Sequence, residues 1–476
     1  MSVTSVFNMA TTGINMARVA IEVTSENIAN VNTQGYSRQR VNFETGPVIN
    51  FGSYSIGTGV QLAGVQRFHD ELLQLQIVKG NSEYGESTTK QTALEQIEPL
   101  FNEITSDGLG QTMEDFFNSW QDLSVNPQGA AERQAVLTRS QILVDGFHRT
   151  NSSLQDVRTS ADTSLVGITA DITDAASNIA SLNNQILHTE RLGGSANELR
   201  DQRDYLLQEL GTKAGISYVE ESDGTMTVRL PGGEFLVQGT SYGTVSTQVN
   251  AGTGLNDIMF TPIGGGAAVD VTGTIGGTDN GLGEIGGTLQ VRDEIVPDYL
   301  ARLDEMANQL VTAVNTQHSA GYAPDGNQYN FFDPANTTSA NISLVSTLTA
   351  ATIAAAGQDP TTVSGQGDNT NALALAKLKS ATLTFTVAGN STSATMASYY
   401  NSLVSGVGID VKNAKNITSQ NESFLKQLNS LRESHSGVSL DEELTNLIKY
   451  QRAFEASARV INTASEMLDT VINMIR

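Results

Sequence analysis

Apolar residues return every seven positions at both ends of the chain. Near the C terminus, Leu440, Leu447, Phe454, Ile461, Leu468 and Ile475 form one such row. This spacing keeps one stripe of a helix against its partner when helices supercoil left-handedly. Ser439 with Glu442 three positions on has the spacing of a capping box and predicts where that helix begins. The N-terminal stretch has the same period in Phe7, Ile14, Ile21 and Ile28, and a second row three positions on in Val3, Ala10, Ala17, Thr24 and Val31. The two terminal helices are therefore expected to pair as an antiparallel coiled coil. Off these seams lie Met9, Met16, Val19 and Val23 at one end and Val460, Ala464, Met467, Val471, Ile472 and Met474 at the other. A helix that is apolar nearly all round is normally buried nearly all round, and one partner covers only one stripe. Each large seam residue contributes about 1.5–3 kcal/mol when fully buried, against about 1–2 kcal/mol per residue for ordering the backbone. The ends are thus expected to be loose in the free chain and to become ordered on assembly. Docking onto the body of the same monomer is the competing reading.

Between the ends the period stays mostly helical. Asn32 and Gly35 stop the first helix, since both residue types accept left-handed backbone or turns. Short alternating pieces separated by glycine follow over 40–67 and read as extended or hairpin structure. Helices are expected from Arg67 to the Pro99 region and from Gln111 to Leu123. The longest helical signal runs from Ala130 to Arg191, with Leu165, Ile172, Ile179 and Ile186 in one row and Leu154, Ala161, Ile168, Ala175 and Leu182 in the other. Gly193-Gly194 ends it, and Asn197–Leu210 starts the next helix. Leu300, Leu303, Ala307, Leu310 and Val314 line one face of a later helix, and Val404, Val407, Val411, Ala414, Thr418, Leu425 and Leu428 that of another. The period switches to two on both sides of Asp223-Gly224, a hairpin signal, and strand-like runs continue to about Leu282. Leu383 to Val387 reads as an additional strand.

The expected fold is mainly α with an inserted small β domain. A terminal α-helical coiled coil comprises 1–65, including an extended turn region, paired with 437–476. An elongated helical bundle comprises 66–212, completed by 285–332 and 371–436. The β-rich outer domain is 213–284, and 333–370, rich in Ala, Thr, Ser and Gly, reads as a low-complexity surface excursion.

Composition narrows the chemistry. Net charge is −24, from 27 basic and 51 acidic residues, which opposes binding to nucleic acid or an anionic membrane. The absence of cysteine removes disulfides, thiol nucleophiles and thiolate metal sites. The N terminus lacks a basic start, a compact apolar run and a cleavage site, so it does not read as a secretory signal peptide. No unbroken apolar stretch of about 20 residues predicts a membrane span. Gly281-Leu-Gly283-Glu-Ile-Gly286 matches a dinucleotide-binding glycine pattern, but no buried strand precedes it and no βαβ unit surrounds it. The five histidines are scattered, and His318, at a predicted helix end, suits a partly charged imidazole facing the helix dipole. Asp441, Glu442 and Glu443 fall in a first helical turn, where negative charge is stabilising without catalysis. No catalytic, cofactor-binding or metal-binding constellation is predicted.

Three separated stretches resemble the bacterial flagellar hook-associated protein 1 family, the first hook–filament junction proteins. The first is Asn27-Ile-Ala-Asn-Val-Asn-Thr-Gln-Gly-Tyr-Ser-Arg-Gln39, similar to a signature shared by flagellar rod, hook and junction proteins, with Tyr36 to Gln39 closest to the junction protein. The second is Ser436 to Ile461, and the third runs from Val291 through Asp304 to Gly321. The family often has Pro where this chain has Gln34. The resemblance implies a structural axial protein in a ring of subunits, with the hook protein on one side and the second junction protein on the other. It further implies uncleaved export by the flagellar type III apparatus and a cytoplasmic export chaperone on the C-terminal helix. The predicted assembly contacts are Phe7, Ile14, Ile21, Ile28, Leu447, Phe454, Ile461, Leu468 and Ile475. A rod or hook subunit is the nearer alternative. A secreted wall-active enzyme, using acids such as Asp223, Glu234, Asp257 and Asp270, is the more distant one.

Overall fold

The computed structural model describes residues 3–51, 54–101, 108–276, 282–362 and 367–474. The chain opens with helix α1 (Val3–Ala29). A turn at Gly35, with φ of +85°, leads into a two-stranded ribbon, because glycine enters left-handed backbone without a Cβ clash. In the ribbon, β1 (Gln39–Thr45) pairs antiparallel with β4 (Val60–Arg67), and β2 (Val48–Phe51) with β3 (Tyr54–Gly57) at the tip. Helix α2 (Glu71–Ile97) follows, capped by the Asp70 carboxylate on the Leu73 N–H. Then come α3 (Leu109–Val125), α4 (Ala130–Arg191) and α5 (Asn197–Lys213). At 62 residues, α4 is roughly 90 Å long at 1.5 Å per residue and is the spine of the molecule.

The β region has two small sheets. One has the order β5 (Ser217–Glu220), β6 (Met226–Arg229), β7 (Phe235–Gln238), β8 (Ser241–Tyr242). In the other, β10 (Asn256–Thr261) lies between β9 (Thr244–Val249) and β11 (Val269–Asp270). The expected hairpin is present with a five-residue loop, 221–225, since Glu220 pairs with Met226 and Gly224 has φ of +82°. A single helical turn, α6 (Thr272–Ile275), precedes α7 (Gly283–Gln290), a π-helical turn at Val291–Ile295 and α8 (Val296–His318). The chain closes with α9 (Thr370–Lys377), the hairpin β12 (Leu383–Val387) and β13 (Asn390–Ala394), α10 (Met396–Ser436) and α11 (Leu440–Met474).

Two hydrophobic cores divide the body, and α4 belongs to both. Val136, Leu143, Phe147 and Leu154 pack with α3, α8, α10 and an aromatic group of Phe116, Trp120, Phe331 and Phe332. Leu165, Ile172 and Ile179 pack instead with Leu207, Leu210, Ile285 and the β residues Val228, Leu236, Val245 and Ile258. The heptad seam of α4 is therefore covered by sheets and short helices. This changes the expected division: the second half of α4, with α5 and α7, shares its core with the β domain. Small residues allow this close packing. A Cβ on Gly85 would stand 2.3 Å from the Thr212 carbonyl, and one on Gly287 2.7 Å from that of Glu86. Gly283 and Gly286 of the glycine pattern lie buried in α7, while Gly281 falls outside the described residues; this segment packs helix on helix.

The described residues of 333–370 do not form the expected surface excursion. Ile342, Ile353 and Ala355 are buried in the first core, and side chains from the helices fasten the backbone of this stretch. Arg133 donates to the Ile353 carbonyl at 2.6 Å, Asn371 to the Ala354 carbonyl at 2.7 Å, and the Ser339 N–H donates to Asp304 at 2.8 Å. Long-range polar side chains satisfy these backbone groups, and such contacts leave no periodic signal in the stretch's own sequence.

Candidate assembly interface at the chain termini

Helices α1 and α11 pack antiparallel: Gly13 lies against Ser457, and Asn27 against Glu443. The face of α1 that is buried consists of Ala10, Ala17, Ala20, Val23, Thr24 and Asn27. This is the thin second row together with its neighbours; the row of large residues predicted as the seam is not buried. Phe7 is 40% exposed, and Ile14, Ile21 and Ile28 are half-buried. On α11, Leu447 and Ile461 are half-buried, Phe454 and Leu468 are exposed, and Ile475 lies outside the described residues. The physical reason is the contact distance: Ala and Gly allow the two backbones to approach, which displaces the bulky rows to the flanks. Among the described residues of α11, only Glu443 and Ala464 are buried. Leu444, Ile448, Val460, Met467, Val471 and Ile472 are exposed along its length. Isolated apolar residues on a surface are ordinary, whereas a contiguous apolar surface marks an interaction site.

The base of this pair is joined to the body by a polar network from the turn after α1. Asn27, buried, uses its whole side chain. Its amide nitrogen donates to the Gln39 carbonyl at 2.9 Å and to Glu443 at 3.1 Å, and its oxygen accepts from the Tyr36 hydroxyl at 2.8 Å and the Gln39 N–H at 2.9 Å. Arg38 pairs with Glu442 at 2.6 Å and Glu443 at 2.7 Å, and its N–H donates to the Ser436 carbonyl at the end of α10. Glu442, expected to fold back in a capping box, is thus engaged by Arg38. Across the turn, the Ser37 N–H donates to Asp201 at 2.8 Å, and Arg67 bridges Asp201 at 2.8 Å and Asp204 at 2.6 Å. Burial pushes Asp201 up, with Arg67 opposing it.

Beside this network a cleft of about 530 Å³ separates the turn from α4 and α5; Glu26, Tyr36, Gln185, Glu198 and Tyr205 are among the residues lining it. Glu26 is raised to about 7 by its hydrogen bond with Glu198, by burial and by the Glu198 charge. Burial, then the Glu26 charge, raises Tyr36. His318 lies far from this site in sequence and differs from the partly charged group expected. It is fully buried, accepts the Ala354 N–H at Nε2 (2.9 Å) and faces the Tyr329 carbonyl through Nδ1 (2.6 Å). A ring that accepts at Nε2 is neutral with its proton on Nδ1, and burial lowers its pKa to about 4. No group of three or more His, Cys, Asp or Glu that could hold a metal occurs among the described residues. Nor, among them, is any helix long and apolar enough to cross a membrane.

Residues 94–332 match the family described as flagellar hook-associated protein FlgK helical domain. The chain is 30% identical to the flagellar hook-associated protein 1 of Bacillus subtilis (strain 168), over 96% of this chain and 95% of that protein. The chain belongs to the flagellar hook-associated protein 1 family. Family members from Salmonella typhimurium and Escherichia coli (strain K12) are 28% and 27% identical over 99% of this chain and 100% of their own lengths. The solved flagellar hook junction protein FlgK from Burkholderia pseudomallei has the same fold, with a TM-score of 0.66 at 16% identity, over 76% of this chain and 100% of that one. Two shorter matches fall on the terminal elements. Residues 7–36 match the flagella basal body rod protein family, and 432–474 the flagellar basal body rod FlgEFG protein C-terminal family. In this chain the rod-type matches therefore coincide with the antiparallel pair and its turn. Sequence periodicity located both helices but not the residues that tie them to the body. Asn27, Tyr36 and Arg38 stood inside the recognised signature, while Glu26, Glu198 and Asp201 carried no sequence signal.

Proposed function

We propose that the chain is a structural axial subunit of the bacterial flagellum that joins hook to filament and is incorporated through the open faces of α1 and α11. The observation that carries the mode of assembly is the bareness of α11: a 35-residue helix with two buried residues among those described. The hydrophobic effect favours removing such a surface from water, and identical neighbours in a ring, the hook protein below and the second junction protein above would supply that cover. Phe7, Ile14, Ile21 and Ile28 on α1, with Leu447, Phe454, Ile461, Leu468 and Ile475 on α11, are the proposed contacts. Before assembly, the same α11 surface suits a cytoplasmic export chaperone, and passage through the type III apparatus without cleavage fits the chain's expected route. Full-length family similarity favours the junction role over a rod or hook subunit, since the rod-type matches cover the ends alone.

The test is Ile461→Asp in the full chain. The variant is expected to keep the thermal transition of the body, because Ile461 lies in neither body core, and to be lost from purified hook–filament structures. Normal incorporation would overturn the proposed mode of assembly.

A further inference from the structure

We propose that the cavity between the root of the ribbon and the terminal helix pair is a carboxylate socket. On assembly it is filled by an aspartate or glutamate side chain of a second copy of this chain, so the socket rests on the assembly reading above and gives it a site. The cavity has a volume of about 200 Å³ and lies between α1, the first residues of β1 and α11. Arg38, Gln39 and Arg40 line it from the ribbon side, and Asn446 and Lys449 from α11.

These donors outnumber the acceptors that the chain itself supplies there. Glu443 is the one acid among the described residues lining the cavity. It is 2% exposed and already held by Arg38 at 2.7 Å and by Asn27 at 3.1 Å. Arg38 is in turn occupied by Glu442 and Glu443. Arg40 and Lys449 are exposed, and neither enters an ion pair among the described residues; Lys449 has the ring of its neighbour Tyr450, 6.0 Å from the centroid. Gln39 is 7% exposed. Its side-chain oxygen accepts from Asn197 at 2.9 Å, but its Nε2 has no acceptor among the described residues. A buried donor in that state has lost water without gaining a partner.

Two uncompensated cations and an amide N–H at one cavity call for a ligand that accepts hydrogen bonds and carries negative charge. A carboxylate does both. Ala20, Val23 and Val41 also line the cavity and pack together, and such an apolar wall strengthens a charge pair formed against it. Charge complementarity names the source. With 51 acidic residues against 27 basic ones, every copy brings surplus carboxylates to its neighbours. Copies of like net charge repel one another, and an uncompensated basic site is where one can approach the next.

Zero-length crosslinking tests the socket, because a water-soluble carbodiimide joins a lysine amine to a carboxylate only where the two touch. In purified hook–filament structures containing the full chain, Lys449 is expected to link to an Asp or Glu peptide of this same chain and to give a covalent dimer on a denaturing gel. The dilute monomer should give no such link. Lys449→Arg keeps the charge without the amine, so it should incorporate normally and lose the link. Arg40→Glu together with Lys449→Glu should cut incorporation by about tenfold or more, while the thermal transition of the body stays in place, since neither residue lies in a body core. Lys449 unlinked in structures that contain the chain, or linked only to a different protein, would overturn the socket. Absence of the unmodified chain from those structures would instead overturn the assembly reading, and the socket with it.

Discussion

At the scale of single residues, the polar groups that matter most are those whose hydrogen-bonding capacity is filled. Asn27 makes four contacts with four atoms on three residues, and no side chain of different shape reproduces two donors and two acceptors at once. His318 does the same for the cap over the first core, joining Tyr329 to Ala354. Its pKa, lowered from 6.5 to about 4 by burial, gives a definite sign. The unfolded chain takes up a proton below pH 6.5 that the folded ring refuses until about pH 4, so stability falls as pH drops through that window. The loss approaches about 3 kcal/mol near the lower end. His318→Gln should flatten this part of the pH–stability curve in urea unfolding, at a cost in stability at neutral pH. An unchanged slope would assign the acid sensitivity to other groups.

At the scale of elements, small residues decide which helices touch. The α1–α11 contact is built on Ala10, Ala17 and Ala20, and the α2–α5–α7 contact on Gly85, Gly211 and Gly287. Close approach leaves the large residues of the terminal helices on their flanks, available to further partners. Ala20 is fully buried, so Ala20→Leu inserts volume where the backbones approach. Overpacking of this kind costs about 1–3 kcal/mol. Hydrogen exchange in α1 and the first half of α11 should speed up in this variant, while α3 and α8 keep their protection. Equal protection in the variant would mean that the pair does not depend on the alanine seam.

At the scale of the whole molecule, α4 connects the two cores, and the π-helical turn before α8 is where they meet. There Arg292, buried, reaches Asp162 of α4 at 2.7 Å, the Asn256 carbonyl of β10, and Asp293. Asp162 also accepts from the Asn256 N–H at 2.9 Å and its amide at 2.7 Å. Breaking a buried pair by removing one partner leaves the other charge uncompensated and costs about 3–5 kcal/mol; the remaining Asn256 bonds place this case at the lower end. Arg292→Ala is therefore expected to weaken exchange protection over 244–261 first, ahead of the α3–α8 core. Simultaneous loss in both regions would show the cores to be a single cooperative unit.

The sequence by itself determined the long helices and the family, but not the eight-residue helices α7 and α9. Helical period, breaker residues and the Asp-Gly turn are local properties, so α4 begins at Ala130 and ends at Arg191 as its pattern predicts, and Leu383 to Val387 is a strand. It also marked both terminal helices as too apolar for one partner. Which row of α1 faces α11 was a contest between bulk and proximity, and only the packed structure resolved it, in favour of alanine. The tertiary structure likewise decided that the described residues of 333–370 cap a core and that α4 serves two of them. Each of these depends on groups brought together from distant parts of the chain, by contacts that leave no period in the residues between them.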